Sequence, residues 1–329
     1  MSRYVVRRLV LLAPTLLGVS VVVFVLVRLL PGDAVALQLQ DARATAADEA
    51  ALRSQLGLDR PIYVQYVDWL GTLAHGDLGH SFRSHAPIAD ELAHRLPVTA
   101  ELGVMALVIA AAVAITVGVI SAVKQDTWAD YAARSAAIGL LAIPGFWLGT
   151  LVVTLPSVWW HWTPPLRYVR LTEDPLRNLS IVIIPAVILG LGLSGGLMRL
   201  VRTQMLEVLR QDFIRTAEAK GLAEHSVVIR HALKYAFIPA LTVLGLQVAL
   251  LVSGTVVLES IFVLPGMGRY LLESVQARDY PAVQGLNLLF ATLIVVTNLV
   301  VDLLYAWLDP RVRLRQPRRH GKPEFQAIA

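Results

Sequence analysis

The 329-residue sequence contains no cysteine and few charged residues. Without cysteine, the chain has no disulfide framework, no thiolate metal site and no cysteine nucleophile. Only 16% of its residues are charged while 56% are hydrophobic, an apolar share that an ordinary water-soluble domain cannot bury. The net charge of +5 does not indicate a nucleic-acid partner, because the basic residues lie mostly beside long apolar runs. The composition predicts an all-α polytopic protein surrounded by membrane lipid.

Motifs for nucleotide binding and catalysis are also missing. No Gly-x-x-x-x-Gly-Lys-Ser/Thr sequence occurs, so the chain has no loop of that type to hold ATP phosphates. No pairing of a nucleophile with a base stands out, and we predict no catalytic residue. His75, His80 and His85 recur near Asp77, but intervals of five do not align on one helix face. We interpret them as surface histidines and predict no metal site.

Six apolar runs are long enough to cross a bilayer as helices. The first follows three arginines, as a signal peptide would, but it is too long for one and no Ala-x-Ala site follows it. We therefore predict an uncleaved first span and five more. The predicted spans are residues 9–30, 101–123, 136–159, 181–198, 237–263 and 284–308.

A polar insert follows the first span. Residues 31–98 hold nine acidic and five basic residues, and we expect them to form a small water-exposed extracytoplasmic insert. Within it, 46–56 and 63–73 are predicted helices, and Leu-Gly-Leu-Asp-Arg-Pro at 56–61 is predicted to end the first. The predicted organisation begins with the N-terminus and first span at 1–30 and the insert at 31–98. A transmembrane core of five spans follows at 99–314, with a polar cytoplasmic loop at 199–235. A cytoplasmic tail at 315–329 is expected to be disordered.

Proline and glycine mark places where the spans are expected to bend or end. Pro144 and Gly145 interrupt the third span at mid-depth, and because proline removes a backbone donor we predict a kink, which serves as a hinge or sets packing. The small residues of the fourth span predict close packing of helices. A short, structured external loop is predicted between the fifth and sixth spans. The structural and gating candidates are Pro144, Gly145, Pro239, Pro265, Gly266, Gly268, Asp279 and Asp302.

Ionisable residues inside apolar runs are costly and are therefore candidate functional residues. Asp302 lies near the inner end of the sixth span, and Glu259 near the outer end of the fifth. Asp302 is either a proton relay or the partner of a basic residue such as Arg199 or Arg202, and we favour pairing.

The distribution of lysine and arginine predicts the orientation. With six spans and the N-terminus inside, 18 of the 29 basic residues fall in cytoplasmic segments and 11 in outer ones. Because cytoplasmic loops carry the excess of positive residues, we predict that both termini and the loop at 199–235 are cytoplasmic.

That loop contains a short amphipathic segment. Phe213, Ala217 and Gly221 recur at intervals of four with Ile214 beside them, which predicts a helix with a narrow apolar stripe. Gly221 is predicted to end this helix in the left-handed conformation. Such a helix, projecting from a membrane domain, suits a groove on a soluble partner.

The sequence Gln-Asp-Phe-Ile-Arg-Thr-Ala-Glu-Ala-Lys-Gly-Leu at 211–222, followed by His-Ala-Leu at 231–233 and Ile-Pro at 238–239, resembles the cytoplasmic coupling loop of ATP-binding-cassette (ABC) importer permeases. It is most similar to the B-type subunit of the dipeptide/oligopeptide/nickel branch. In the wider superfamily the loop begins Glu-Ala-Ala, whereas Arg215, Thr216 and Ala217 stand there when the later glycine is aligned on Gly221. The similarity extends along the chain through Leu-Leu-Pro-Gly-Asp at 29–33, Gly-Asp-Leu-Gly at 76–79, Pro-Gly-Met-Gly at 265–268, Asp-Tyr-Pro at 279–281 and Asp-Leu-Leu-Tyr-Ala at 302–306.

The resemblance implies a type I ABC importer permease fold in the bacterial inner membrane, with no cofactor bound by this chain. It implies a heterodimer with a sister permease, two cytoplasmic ATPase subunits that carry ATP and magnesium, and an extracytoplasmic substrate-binding protein. The residues that it implies for ATPase coupling are Asp212, Phe213, Arg215, Thr216, Ala217, Glu218, Lys220, Gly221 and Leu222.

The cargo that the resemblance implies is a di- or oligopeptide. Nickel chelates, glutathione and opines are alternatives within the same class of protein. An ion-coupled secondary transporter and a membrane scaffold or receptor subunit are alternatives from other classes.

Overall fold

A computed structural model describes residues 2–29, 35, 45–165 and 167–308, apart from the side chains of 2–9, 11, 253 and 302–308. Regular structure in these ranges is helical, and no strand forms there. The helices are α1 (Ser2–Leu29), α2 (Ala46–Gln55), α3 (Ile62–Ala74), α4 (Ile88–Val123), α5 (Trp128–Ala142), α6 (Gly145–Trp160), α7 (Pro175–Leu209), α8 (Asp212–Ala219), α9 (Glu224–Ser226), α10 (Leu233–Ile261), α11 (Met267–Gln276) and α12 (Tyr280–Leu308). A π-helical turn, Val227–Ala232, joins α9 to α10.

Six spans are present if a bent pair of helices is counted as one. Helices α1, α4, α7, α12 and the continuous helix that starts at Glu224 are each long and apolar enough to cross a membrane. Helices α5 and α6 pass the same test together but are bent by 89° at their junction. The all-α, polytopic fold predicted from composition is confirmed.

The helices run well beyond the apolar runs. Helix α4 has 36 residues and α7 has 35, so α4 already contains the last part of the predicted insert, and α7 is longer than the fourth span predicted at 181–198. Asp174 caps α7 by accepting a hydrogen bond from the amide of Arg177, and Pro175 occupies the first turn, where its missing amide costs nothing. The extra turns carry polar residues, and a search for apolar runs therefore misses them.

Helices α4 and α7 form the most extensive helix contact in the described chain. Ala106, Ala110, Ala114 and Gly118 recur every four residues on α4 and are buried. On α7, a Cβ atom at Gly190 would lie 2.8 Å from the Ala106 carbonyl oxygen. Such small residues let helix backbones approach closely in lipid, which confirms the packing predicted for the fourth span.

The two helices predicted in the insert are both present. Thr45 and Asp48 form a capping box at the start of α2, and Gly57, with φ of +64°, follows its end. Helix α3 packs against α1, where Phe24 contacts Tyr66 and Trp69. The predicted tail at 315–329 lies outside the described residues.

Candidate functional site

Helix α8 is the predicted coupling segment, and its end has the geometry expected of Gly221. Gly221 has φ of +77°, its amide donates to the Glu218 carbonyl at 2.8 Å, and the Leu222 amide donates to the Ala217 carbonyl at 3.4 Å. These two bonds form a Schellman motif, the common glycine-dependent helix end. The left-handed stop predicted at Gly221 is confirmed.

The buried face of α8 differs from the predicted stripe. Ile214 and Ala217 are buried, whereas Phe213 is 40% exposed and its ring lies 5.2 Å from that of Tyr235. Of the predicted stripe of Phe213, Ala217 and Gly221 with Ile214 beside them, the prediction holds for Ile214 and Ala217 and is wrong for Phe213 and Gly221. Residues three apart share a helix face as readily as residues four apart, and here Ile214 and Ala217 form the pair that faces the protein core. The Ala217 side chain consequently faces its own protein instead of a partner.

The opposite face of α8 is polar and exposed. Asp212, Arg215, Thr216 and Ala219 lie near its centre. The Asp212 carboxylate and the Arg215 guanidinium are 3.5 Å apart with side chains 97% and 72% exposed, so their pairing contributes little and both charges are free to bind another protein. The remaining coupling candidates, Glu218, Lys220, Gly221 and Leu222, are also exposed.

Two spans hold α8 in place. Ile214 and Ala217 belong to one buried core with Met205 and Val208 of α7 and with the first residues of the π-helical turn. In that turn the Leu233 amide donates to the Val228 carbonyl, five residues back, and such π segments recur at functional sites. The helix stays continuous through Pro239. Helix α8 thus shares one buried core with α7 on one side and with the π-helical turn and α10 on the other.

A buried ion pair joins three helices close to this core, and the sequence did not reveal it. Asp130 of α5 is fully buried, and the Nε and Nη2 atoms of Arg202 on α7 each donate to one of its carboxylate oxygens at 2.8 Å. Ser121 of α4 donates to the same carboxylate at 2.5 Å. Arg202 therefore binds Asp130, and the pairing predicted for Asp302, with a basic residue such as Arg199 or Arg202, stays a prediction. The Asp302 side chain lies outside the described part. The one signal in the sequence is that Ser121, Asp130 and Arg202 are polar residues near the ends of the second, third and fourth apolar runs.

At the far end of α10, a second buried carboxylate holds the loop that was predicted to be external. Glu259 is fully buried and accepts hydrogen bonds from Thr99 Oγ1 at 2.7 Å and from the Arg269 amide at 3.0 Å. Thr99 Oγ1 in turn accepts from the Met267 amide at 2.8 Å, so both side chains bind the start of α11.

Steric contacts explain why glycine occupies two positions of the predicted external loop. A Cβ atom at Gly266 would collide with the Glu259 carboxylate, and one at Gly268 would lie 2.5 Å from Val256 Cα. Pro265 precedes them at the rim of a pocket of about 440 Å³ that also includes Asp90, His94, Arg95, Tyr168 and Arg170.

Asp279 connects the insert to the last span. Its buried carboxylate accepts from Ser81 Oγ at 2.5 Å and from the Phe82 amide at 3.0 Å. The described contacts thus give Asp279 a structural role at the start of α12. In the pocket beside Pro265, burial raises the pKa of the Tyr168 phenol and the Glu101 carboxylate raises it further, so the hydroxyl stays protonated and donates to Glu101 at 2.8 Å.

The third span breaks at Pro144 rather than merely kinking. Helix α5 ends at Ala142, Pro144 is the N-cap of α6, and the two axes differ by 89°. An apolar pocket of about 320 Å³ lies beside the break, lined in part by Gly145, Phe146, Gly192 and Gly254. Within the described residues, no three His, Asp or Glu side chains are arranged to hold a metal ion.

A multi-pass helical bundle with a short polar-faced helix held between two spans defines a membrane transport component. Residues 114–314 match the family described as "Binding-protein-dependent transport system inner membrane component", and residues 1–103 match the family of its N-terminal part. The chain belongs to this family: it is the inner-membrane permease component of an ABC importer and not an enzyme, and its partners are ATPase and substrate-binding protein subunits. The interpretations as an ion-coupled transporter or a scaffold are wrong.

Three relatives align over 95% of this chain and 99% of their own length. The chain is 39% identical to "Dipeptide transport system permease protein DppB" of Escherichia coli (strain K12). It is 43% identical to a putative peptide transport system permease protein of Brucella abortus (strain 2308) and 38% identical to "Di/tripeptide transport system permease protein DppB" of Pseudomonas aeruginosa (strain UCBPP-PA14).

Proposed function

We propose that this chain forms half of the translocation pore of a di- or oligopeptide importer, in a heterodimer with a sister permease. The three relatives reported above are named for dipeptide, peptide or di/tripeptide transport. Their names favour peptides over nickel chelates, glutathione or opines as cargo. An extracytoplasmic binding protein delivers the peptide to this pair of permeases.

Helix α8 couples the pore to one of two cytoplasmic ATPases. The observation that carries this proposal is the two-sided character of α8: Ile214 and Ala217 pack into the permease core, while the opposite face is polar and exposed. A groove on the ATPase receives that exposed face, with Asp212 and Arg215 as its polar contacts. ATP and magnesium are held by the ATPases, and this chain binds no cofactor.

Closure of the ATPases pulls on α8, and α8 moves the helices to which it is anchored. A rigid element held at both ends transmits such a displacement, and α7 and the helix through α10 supply the two ends. The orientation follows from this role and from the distribution of basic residues, with α8 and both termini in the cytoplasm.

Variants of Gly221 test the coupling. No atom lies within 4 Å of a Cβ added at Gly221, so a side chain there meets a backbone penalty of about 1–2 kcal/mol rather than a clash inside this chain. Asparagine tolerates the left-handed conformation and a β-branched residue does not. We expect Gly221→Val and Gly221→Trp to lose most ATP-driven peptide uptake at unchanged membrane levels, and Gly221→Asn to retain it. Normal uptake by Gly221→Trp in membrane vesicles would contradict the proposal.

The absence of native cysteine permits a direct test of orientation. In intact cells, an impermeant maleimide should leave Glu218→Cys unlabelled and should label Gln55→Cys in the insert. Labelling of Glu218→Cys from outside would contradict the proposed topology.

The cargo is decided by an uptake assay. A strain that lacks this gene is compared with its parent for uptake of labelled dipeptides and for uptake of nickel. If the strain lost nickel uptake and kept dipeptide uptake, the peptide assignment would be overturned.

A further inference from the structure

Helix α3 of the extracytoplasmic insert lies beside the deep part of α1 rather than above it. Tyr66 Oη is 2.9 Å from Ser20 Oγ, and the Tyr66 and Trp69 rings contact Phe24. The guanidinium of Arg28, in the last turn of α1, donates to Gln65 Oε1 at 2.8 and 3.1 Å. These contacts fix α3 along the second half of α1.

The depth of α3 follows from helix geometry. The apolar window of α1 is Leu12–Leu29, so Ser20 lies near its middle. Phe24 lies five residues before Leu29, which corresponds to roughly 7 Å along the helix axis. Because Tyr66 and Trp69 contact Phe24, the adjoining side of α3 lies below the end of the span, within the leaflet on the Arg28 side.

The side chains of α3 divide into three stripes. One, containing Tyr66 and Trp69, contacts α1. A second contains the polar residues Asp68, Thr72 and His75, which are exposed. The third recurs at intervals of four, three and four and is apolar: Tyr63, Val67, Leu70 and Ala74, of which Tyr63 is 69% and Val67 63% exposed.

We propose that the apolar stripe of α3 is a lipid-binding surface, which packs against acyl chains of the leaflet on the Arg28 side of α1. In the proposed orientation this is the outer leaflet. A 13-residue helix is too short to span the bilayer and has the length of an interfacial helix. Interfacial helices bury an apolar face about 5–10 Å into the boundary between headgroups and acyl chains, which matches the depth set by Phe24.

Lipid is the occupant that the surrounding surface favours. At the same depth, α1 exposes Val22, Leu26 and Leu29, which are 56%, 57% and 70% exposed on a confirmed inner-membrane protein. The exposed stripe of α3 lies at the same depth as these side chains, where acyl chains surround the bundle, and Asp68 and Thr72 lie on a separate side of the helix, as in a helix at a water boundary. The inference revises the expectation of an entirely water-exposed insert for this one helix.

Spin labels at single cysteines test the proposal, because the native chain offers no competing thiol. The full chain, purified with its partner subunits and placed in lipid nanodiscs, would carry a nitroxide at Val67→Cys, or at Thr72→Cys as a matched control on the same helix. Leu26→Cys serves as the lipid reference and Gln55→Cys as the water reference. Relaxation by oxygen reports on lipid, and relaxation by a water-soluble nickel chelate reports on water.

We expect the ratio of oxygen to nickel accessibility at Val67 to match that at Leu26 and to exceed that at Thr72 several-fold. Equal accessibility at Val67 and Thr72 would show a helix in water and would overturn the proposal. A label at Val67 that neither reagent reaches would show a protein partner at this stripe and would overturn it as well. Neither accessibility measurement depends on uptake activity, so this test is independent of the proposed transport function.

Discussion

At the residue scale, Asp130 shows how a few buried polar groups hold a membrane bundle together. Its carboxylate accepts hydrogen bonds from Ser121 on α4, from Arg202 on α7 and from the Asp126 amide in the turn before α5. Removing one partner of a buried pair leaves the other charge without compensation, which costs far more than the pair itself contributes. Asp130 and Arg202 are therefore energetically linked.

A double-mutant cycle on this pair measures the linkage. We expect Asp130→Ala to destabilise the permease by about 3–5 kcal/mol, because Arg202 loses its bidentate partner while only 18% exposed. The double variant Asp130→Ala/Arg202→Ala should be less unstable than the sum of the two single variants. Thermal unfolding of the purified complex in detergent checks this. Additive effects would show that the two side chains act independently.

What the sequence predicts at this scale depends on how local the cause is. The left-handed conformation of Gly221 follows from the absence of a Cβ atom and is readable from the helix pattern alone. The partner of Arg202 is not, because Asp130 lies 72 residues away and only the packing of α5 against α7 brings the two together. The role of Ala217 as an ATPase contact was mispredicted for a related reason, because its burial depends on the position of α7 and the π-helical turn.

At the scale of elements, α11 is a short helix whose N-terminus is held by two side chains from two spans. The first amides of a helix have no partner inside it, and Glu259 and Thr99 supply the missing acceptors at Arg269 and Met267. A carboxylate there also interacts favourably with the partial positive charge of the helix end. The external loop is thereby attached to both α4 and α10.

Thr99→Val tests this attachment with a change that preserves side-chain shape. Loss of the hydroxyl removes the bonds to Glu259 and to the Met267 amide, and leaving buried groups unsatisfied costs about 1–3 kcal/mol. We expect faster hydrogen exchange in α11. Thr150→Val is the matched control, because Thr150 Oγ1 bonds only to the Phe146 carbonyl one turn earlier. Unchanged exchange in α11 of Thr99→Val would show that this bond does not hold the loop.

The sequence predicted which helices form but not the residues at which they begin and end. Hydrophobic runs identify helices because lipid requires all backbone groups to bond within the segment, so five of the six runs fall in continuous helices and the third became the bent pair α5 and α6. The polar turns at the start of α4 and the end of α7 carry no such signal. Pro144 predicts a disturbance, but the 89° turn depends on how α6 packs against α10 and α7.

At the scale of the whole molecule, one continuous helix connects the core beneath α8 to the loop before α11. The helix that begins at Glu224 carries part of the core beneath α8 at its start and Glu259 near its end. In the coupling proposed above, a displacement of α8 acts on this helix, whose far end binds the loop before α11. Such coupling requires the bundle to move as a packed body, and the contact between α4 and α7 provides that packing.

Two glycine-to-alanine variants on α7 test whether close backbone approach sets this packing. At Gly190 an added Cβ would lie 2.8 Å from the Ala106 carbonyl oxygen, so Gly190→Ala forces the helices apart and should destabilise by about 1–3 kcal/mol. At Gly196 nothing lies within 4 Å of an added Cβ, so Gly196→Ala should stabilise by up to about 1 kcal/mol through helix propensity. The two substitutions are chemically identical and lie on one helix, yet their effects on the unfolding temperature should have opposite sign. Equal effects would show that the approach of α4 to α7 does not depend on Gly190.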